Sequence, residues 1–337
     1  MPTKPLAKLE SMVGESKQTV ESFRIEAGKV DEFARAITDT NSVFRDETVA
    51  RERGFDAIPA PLTFPRVKRF PRYQVGADAE MDEREEGHYG FDLGFRPEYV
   101  LHGEQAYEYE RPLLVGDVLT GETTLAEVYQ RDGGRAGTMT FAVLETAYRD
   151  QSGELVLTDR ATAIETEGAV DDGGGEETSA GDAATTHESE PEPHPVDRPQ
   201  STAVLESGQA GPTVVAPDLE RRDFVKYAGA SGDFNPIHYD EPYATAAGNE
   251  SVFGQGMFTA GVASRVVTDW FGRETISSFG VRFQSRVFPG ETIVATGEVE
   301  SVSQGETVDV TLEAATPGGK TLLTGTATAD LSRSNDR

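Results

Sequence analysis

Asp233 and His238 stand five residues apart in the run Tyr227-Ala-Gly-Ala-Ser-Gly-Asp233-Phe-Asn235-Pro236-Ile-His238-Tyr-Asp240. Pro236 has a fixed φ and bars Asn235 from the helical region, so the chain has to bend between the two groups. A bend can aim a carboxylate and an imidazole at one point, which neither a straight helix nor a strand achieves at this spacing. Two such groups sharing a point can hold a water molecule and move its protons, which is general acid–base chemistry. Taken singly, an Asp, Asn or His in a turn is usually a turn former, so the weight lies on the whole string. The elements that have to position it can be read on either side. Upstream, Leu219–Ala228 has the pattern of a short helix with Asp218 as N-cap. Downstream, Gly256–Phe271 reads as a longer helix ended by Gly272, with apolar positions around nearly its whole circumference. Four runs rich in Val, Thr, Ile and Phe follow, at Ser278–Arg286, Thr292–Ser301, Thr307–Ala314 and Thr321–Leu331. Strands around one buried helix imply an α+β unit in which an antiparallel sheet curls over that helix.

Tyr227, Gly232, Asp233, Asn235, Pro236, Ile237, His238 and Asp240 together resemble the hydratase motif of MaoC-like enzymes, the (R)-specific enoyl-thioester hydratases and 3-hydroxyacyl-thioester dehydratases. The resemblance implies a hot-dog fold. It also implies that a water sits between Asp233 and His238 and that the backbone amide of Gly256, at the start of the buried helix, binds the thioester oxygen. The physics suits those roles, since adding water across an enoyl thioester builds negative charge on the carbonyl oxygen. An N–H at a helix N-terminus lies at the positive end of the dipole and is preorganised for that charge, and glycine lets a substrate come close. Asn235 is expected to brace the turn. Ser264 matches a polar position near the Asp in the family, with small-residue packing an equally good account. Gln255 stands where many relatives carry a His, which leaves the Gly256 amide intact and removes that side chain. The implied activity is a hydro-lyase reaction, the reversible hydration of 2-enoyl-CoA to (R)-3-hydroxyacyl-CoA. It needs no separate cofactor; coenzyme A enters as part of the acyl-CoA substrate.

The motif has a faded counterpart. When the first half is slid along the second without a gap, Thr38-Asp39-Thr40-Asn41-Ser42-Val43-Phe44-Arg45-Asp46 falls on Gly232–Asp240, and Ala60-Pro61-Leu62-Thr63-Phe64 falls on Gly254–Phe258. Farther on, Tyr109–Asp117 resembles Phe283–Glu291 at a smaller offset, so the first half carries an insertion within Pro65–Tyr99. Strand runs recur there at Gln105–Glu110, Val118–Tyr129, Gly137–Tyr148 and Leu155–Ile164. Phe44 replaces His238 and Leu62 replaces Gly256, so this copy reads as non-catalytic. Pro61, Pro65 and Pro71 fall where its long helix should lie, and an interior proline costs about 3 kcal/mol, so that helix is expected to be shortened or displaced. An apolar channel for the substrate's acyl tail is the expected consequence.

The organisation is therefore a tandem (double) hot-dog: a degenerate domain over residues 10–166, an acidic disordered linker over 167–211 and a catalytic domain over 212–332. The linker is rich in Gly, Ala, Ser, Thr, Pro, Asp and Glu and lacks aromatic residues, a composition that cannot offset its ordering entropy. Fusion supplies an intrachain pseudo-dimer; a further homodimer is left open. With 59 Asp and Glu against 31 Lys and Arg, the net charge is −28, which opposes binding to nucleic acid. The linker carries about a third of that excess, so the remainder coats folded surface, as in a protein kept soluble in concentrated salt. No membrane-length apolar run and no signal-like start occur, so a soluble cytoplasmic protein is expected. With no Cys, and with His88, His102, His187 and His194 lacking ligand spacing, no metal is expected. No P-loop or dinucleotide fingerprint occurs.

Two rival readings remain. One keeps the mechanism but takes a branched dicarboxylic substrate such as mesaconyl-CoA, which needs a cation near the acyl end; Arg282 and Arg286 are candidates without an assigned place. The other is a non-catalytic acyl-thioester binder, for which the Asp233/His238 pair is superfluous.

Overall fold

The structure, a computed structural model, describes residues 2–69, 90–96, 99–132, 137–167, 191–199, 204–303 and 306–334. The first half contributes strands β1 (Ser16–Arg24), β2 (Val100–Tyr109), β3 (Val118–Asp132), β4 (Thr138–Arg149) and β5 (Leu155–Glu165). The second contributes β6 (Val214–Ala216), β7 (Ile276–Phe283), β8 (Ile293–Val302), β9 (Thr307–Ala315) and β10 (Thr321–Asp330). All join one antiparallel sheet in the order β1-β3-β4-β5-β2-β7-β10-β9-β8-β6, and the β2–β7 pairing, with Ala106 opposite Gly280, welds the halves. The helices are α1 (Leu6–Glu10), α2 (Ala27–Ala36), α3 (Glu47–Glu52), α4 (Arg221–Ser231), α5 (Glu241–Ala246) and α6 (Gly256–Phe271). This is the expected tandem hot-dog, and no described helix is long and apolar enough to cross a membrane.

The duplication is written in matching hydrogen bonds. The Ala60 amide donates to the Leu113 carbonyl as that of Gly254 does to Val287, each at 2.8 Å. Gly116 donates to Ile25 as Gly290 does to Leu219. Each copy has a short 3-10 turn, Ser42–Phe44 and Pro236–His238, followed by a helix capped by Asp46 or Asp240.

In the second half α6 is sheathed by the sheet: Gly256 alone is exposed, Arg265 and Asp269 are half-buried, and the other residues are buried. Burying such an all-round apolar helix is the main driving force for the curl. Helix α4 starts two residues later than the sequence pattern suggests. The Glu220 amide takes Asp223 Oδ2 at 3.0 Å as a cap, while the Leu219 amide is already spoken for by the Glu291 carbonyl.

The first half lacks a counterpart to α6 among its described residues and has a 3-10 segment, Phe64–Arg69, in its place, as the prolines predict. The inner face beneath it corrects the expectation of an apolar channel. At one end Tyr109, Leu119, Tyr148 and Leu157 join Phe23, Phe33 and Phe64 in the main core. At the other, Leu9, Met12, Phe91 and Leu93 cover Leu125, Ala142, Leu144 and Ala163. Between these clusters the strand register lines up Thr123, Thr146, Asp159 and Tyr107 across four strands. All four are buried. Thr19, Thr123 and Thr146 hydroxyls link at 2.6 and 2.7 Å, and Gln105 Nε2 donates to Asp159. A buried polar band divides the face, because one residue of each pleat on the same cross-strand line is polar.

Of the stretch read as a linker, residues 168–190 and 200–203, with His187, lie outside the described residues, as does His88 in the insertion. Its described parts lie along the second half. His194 pairs with Thr213, Leu205 is buried, and Arg198 donates to the carbonyls of Thr268 and Asp269. Cavities of about 340 and 250 Å³ sit against these residues, lined by Trp270 and Leu205 and by Arg265 and Asp269; neither includes Asp233 or His238.

Candidate active site

Helix α4 ends at Gly232, whose φ of 87° places it in the left-handed region that favours glycine. That reversal delivers Asp233, whose amide is held by Ser231 Oγ at 3.1 Å. Asn235 Oδ1 accepts from the Ile237 amide at 3.2 Å, capping the Pro236–His238 turn; Asn235 thus braces the bend and makes no bond to the Asp233 side chain. His238 emerges from this turn, and its Nδ1 lies 2.8 Å from the Phe253 carbonyl. A carbonyl can only accept, so Nδ1 carries the proton and the neutral ring presents Nε2 as a base. Asp233 and His238 are each 8% exposed. Neither Nε2 nor the Asp233 carboxylate has a hydrogen-bond partner among the described residues.

Burial pushes the His238 imidazole below its ordinary value of 6.5; Asp233 and the Phe253 carbonyl oppose the shift, and the Arg66 guanidinium adds to it. A base with a depressed pKa stays neutral farther into acid. The acidic limb of kcat/KM is accordingly expected below pH 6.5, with full activity at pH 7; a limb centred at or above 6.5 would contradict the assignment.

Gly256 opens α6, and no acceptor among the described residues takes its amide. A Cβ there would meet the Phe283 ring at 3.1 Å, so the opening between helix and sheet is glycine-wide. Gln255 is fixed underneath, its Nε2 donating to the Phe224 carbonyl at 3.1 Å, so its side chain is turned toward α4. Ser264, by contrast, spends its hydroxyl on the Gly261 carbonyl of its own helix at 2.8 Å and makes no bond to the pair. Packing accounts for it.

The counterpart in the first half is closed. Asp39 is 3% exposed, Phe44 fills the place of the imidazole, and Arg265 Nη1 ties the halves together through Thr38 Oγ1 at 2.7 Å. Burial raises the Asp39 carboxyl from 3.8 to about 6; the Asn41 amide opposes this, Asp269 adds to it, and Arg265 and Arg45 oppose it. The folded protein therefore holds a proton that the unfolded chain releases, and stability falls as the pH rises from about 4 to 6. Asp39→Asn should leave turnover intact and stabilise the fold at pH 7.5 by up to about 3 kcal/mol, with little gain at pH 4. Thermal melts at the two pH values check this; equal shifts at both would contradict it.

Sequence reading missed two neighbours of the Asp233/His238 pair. Phe253 acts through its carbonyl, which no side-chain pattern announces. Arg66 comes from the other half: it is 8% exposed on the 3-10 segment, and its charge acts at once on His238, Tyr227 and Tyr107. Arg282, named from the sequence as a candidate cation near the acyl end, is an exposed surface partner of Glu104 at 2.8 Å. No group of three or more His, Cys, Asp or Glu placed to hold a metal occurs among the described residues.

Residues 11–159 match the family model described as FAS1-like, dehydratase domain region, and residues 194–316 match that of the MaoC like domain. A UPF0336 protein of Thermobifida fusca is 33% identical over 147 residues, covering 43% of this chain and 86% of that protein. Enoyl-CoA hydratase 2, peroxisomal, of Arabidopsis thaliana is 27% identical over 212 residues, 61% of this chain and 62% of that protein. A solved structure named MaoC-like dehydratase superposes with a TM-score of 0.73 at 25% identity, covering 95% of this chain and 99% of that one. With a dehydratase-type first half, the hydratase motif in the second and one sheet shared between them, the chain belongs to the MaoC-like dehydratase family in its double hot-dog form and is a hydro-lyase of the hydratase/dehydratase type.

Proposed function

We propose that the protein catalyses the reversible hydration of 2-enoyl-CoA to (R)-3-hydroxyacyl-CoA. The observation that carries the reading is the tautomer of His238: the Phe253 carbonyl holds Nδ1–H and leaves Nε2, like the Asp233 carboxylate whose charge acts on the ring, without a partner among the described residues. A water between them loses a proton to the pair as its oxygen bonds to the β-carbon. The π electrons move onto the thioester carbonyl, whose oxygen takes the Gly256 N–H, and the proton returns at the α-carbon. Dehydration retraces the path. No separate cofactor enters this scheme. Around the site Arg286 lies 5.0 Å over the Phe253 ring, and Lys320, paired with Glu291 at 2.7 Å, lies 5.2 Å over that of Phe288. We read the acidic surface as an adaptation to concentrated salt and the protein as cytoplasmic.

The test is loss of enoyl absorbance from crotonyl-CoA in molar potassium chloride, followed by chiral analysis of the product. Turnover to the (R)-3-hydroxy thioester is the expected result. Folded protein that turns over no enoyl thioester would leave the rival reading of an acyl-thioester binder.

A further inference from the structure

The carbonyl that fixes the His238 ring belongs to a peptide unit with a second bond. Phe253 C=O accepts from Nδ1 at 2.8 Å, and the N–H of the same unit, carried by Gly254, donates to the Val287 carbonyl at 2.8 Å. One peptide plane therefore joins the imidazole to the backbone that follows β7. Gly254 is buried, and a Cβ on it would meet Val287 Cγ1 at 2.8 Å and Phe224 Cε1 at 2.9 Å. Ordinary carbon–carbon contact is about 3.5–4.0 Å. Gly254 has no positive φ, so closeness rather than backbone conformation calls for the glycine. The Phe253 ring is edge-on to His238 at 5.2 Å and to Phe288 at 6.3 Å, and Glu291 Oε2 takes the Phe288 amide at 2.8 Å. The first half makes the same backbone bond through Ala60 and Leu113, yet has Phe44 at the place of the imidazole. Glycine stands in the copy that has an imidazole to hold, and alanine in the copy that has none.

We propose that Gly254 is a positioning residue for the reaction: by letting the Phe253–Gly254 peptide pass between Val287 and Phe224, it sets the carbonyl on Nδ1 and keeps Nε2 free to act as the base. Hydrogen bonds in a chain polarise one another, so the Val287 carbonyl, by drawing on the Gly254 N–H, makes the Phe253 carbonyl a better acceptor for Nδ1–H. The peptide does for this imidazole what a carboxylate does in a hydrolytic triad. It fixes tautomer and orientation, and it steadies the positive charge the ring gains on taking a proton. A Cβ at 254 has to push the unit off Val287 or off Phe224, and either motion moves the carbonyl relative to Nδ1. Gly254 acts through His238, so its effect belongs to kcat and not to substrate binding. That kinetic consequence rests on the hydratase reading. The tautomer does not depend on turnover.

Nitrogen NMR of the full chain carrying isotope-labelled histidine, in molar potassium chloride, reads the tautomer; the His238 signals are those missing from His238→Gln. The wild type is expected to show the Nδ1–H form alone. Gly254→Ala, checked for folding by thermal melts, should show the Nε2–H form beside it and lose kcat for crotonyl-CoA about tenfold, with KM within about twofold. Gly254→Ala/Val287→Ala opens room beside the accepting carbonyl. It should regain at least about threefold of the lost kcat and return the ring toward Nδ1–H, and it is read against Val287→Ala alone should the single Gly254 variant not fold. A wild type without the Nδ1–H form overturns the proposal. So does a folded Gly254→Ala protein with the wild-type ring spectrum, or one whose loss lies in KM alone. A tautomer that responds to Gly254→Ala in a protein that turns over no enoyl thioester keeps the positioning role and refutes the hydratase.

Discussion

Replacing His238 with Gln should reduce kcat for enoyl hydration by about 10²–10⁴-fold with the fold intact, and Asp233→Asn should do the same. Gln is close to imidazole in length and can still donate to the Phe253 carbonyl, which now takes the Nδ1–H at 2.8 Å, so the turn survives. It cannot accept a proton from water. Asn at 233 keeps the place of the carboxylate and loses its charge, while the Ser231 contact to the backbone amide is untouched. In the proposed mechanism both groups act on one water, so the double variant should be little worse than either single one, the non-additivity expected of residues acting as a unit. Thermal melts beside the absorbance assay check that the loss is chemical. An active His238→Gln protein would show that the imidazole is a turn residue and no more.

Gly256 allows a sharper test of the oxyanion amide. Proline is favoured at the first position of a helix, where its missing N–H is one of the unpaired donors, and it requires an extended residue before it. Gln255 has φ −59° and ψ 136°, the conformation that a following proline demands. Gly256→Pro should therefore remove the amide hydrogen without breaking the helix and lower kcat about 10²–10³-fold. The added ring atoms meet Phe283, so Gly256→Ala is the control: it puts a Cβ 3.1 Å from that ring and keeps the N–H. The ratio of the two variants isolates the amide. If Pro and Ala lower kcat equally, the glycine is there for access alone.

Much of the second half could be read from one line of residues because its information is local. The Asn-Pro bend, the Gly232 reversal and the all-round apolar Gly256–Phe271 segment are each specified within a few positions, and the helix came out with the expected bounds. The duplication was legible for the same reason, since a repeat is a comparison of the chain with itself. The strands β1 and β6 were not: Ser16–Arg24 is mostly exposed and Val214–Ala216 is three residues long, so neither carries a usable alternation, and both exist by pairing with β3 and β8.

The character of the first half's inner face could be decided only in three dimensions. Prolines in the first half announced a shortened or displaced helix, and from that alone an apolar channel followed. The register of β2, β4 and β5 instead set Tyr107, Thr146 and Asp159 in one row, and a period-2 pattern in one strand says nothing of what stands opposite it. Arg66 lies more than a hundred residues from Asp233 in the chain, on a segment with no helical or strand periodicity. Its segment meets helix α4 of the second half, next to the Asp233 turn, only because β2 pairs with β7 and joins the two halves. The Asp233/His238 pair is a property of a short stretch of sequence, whereas its surroundings are a property of the joined sheet.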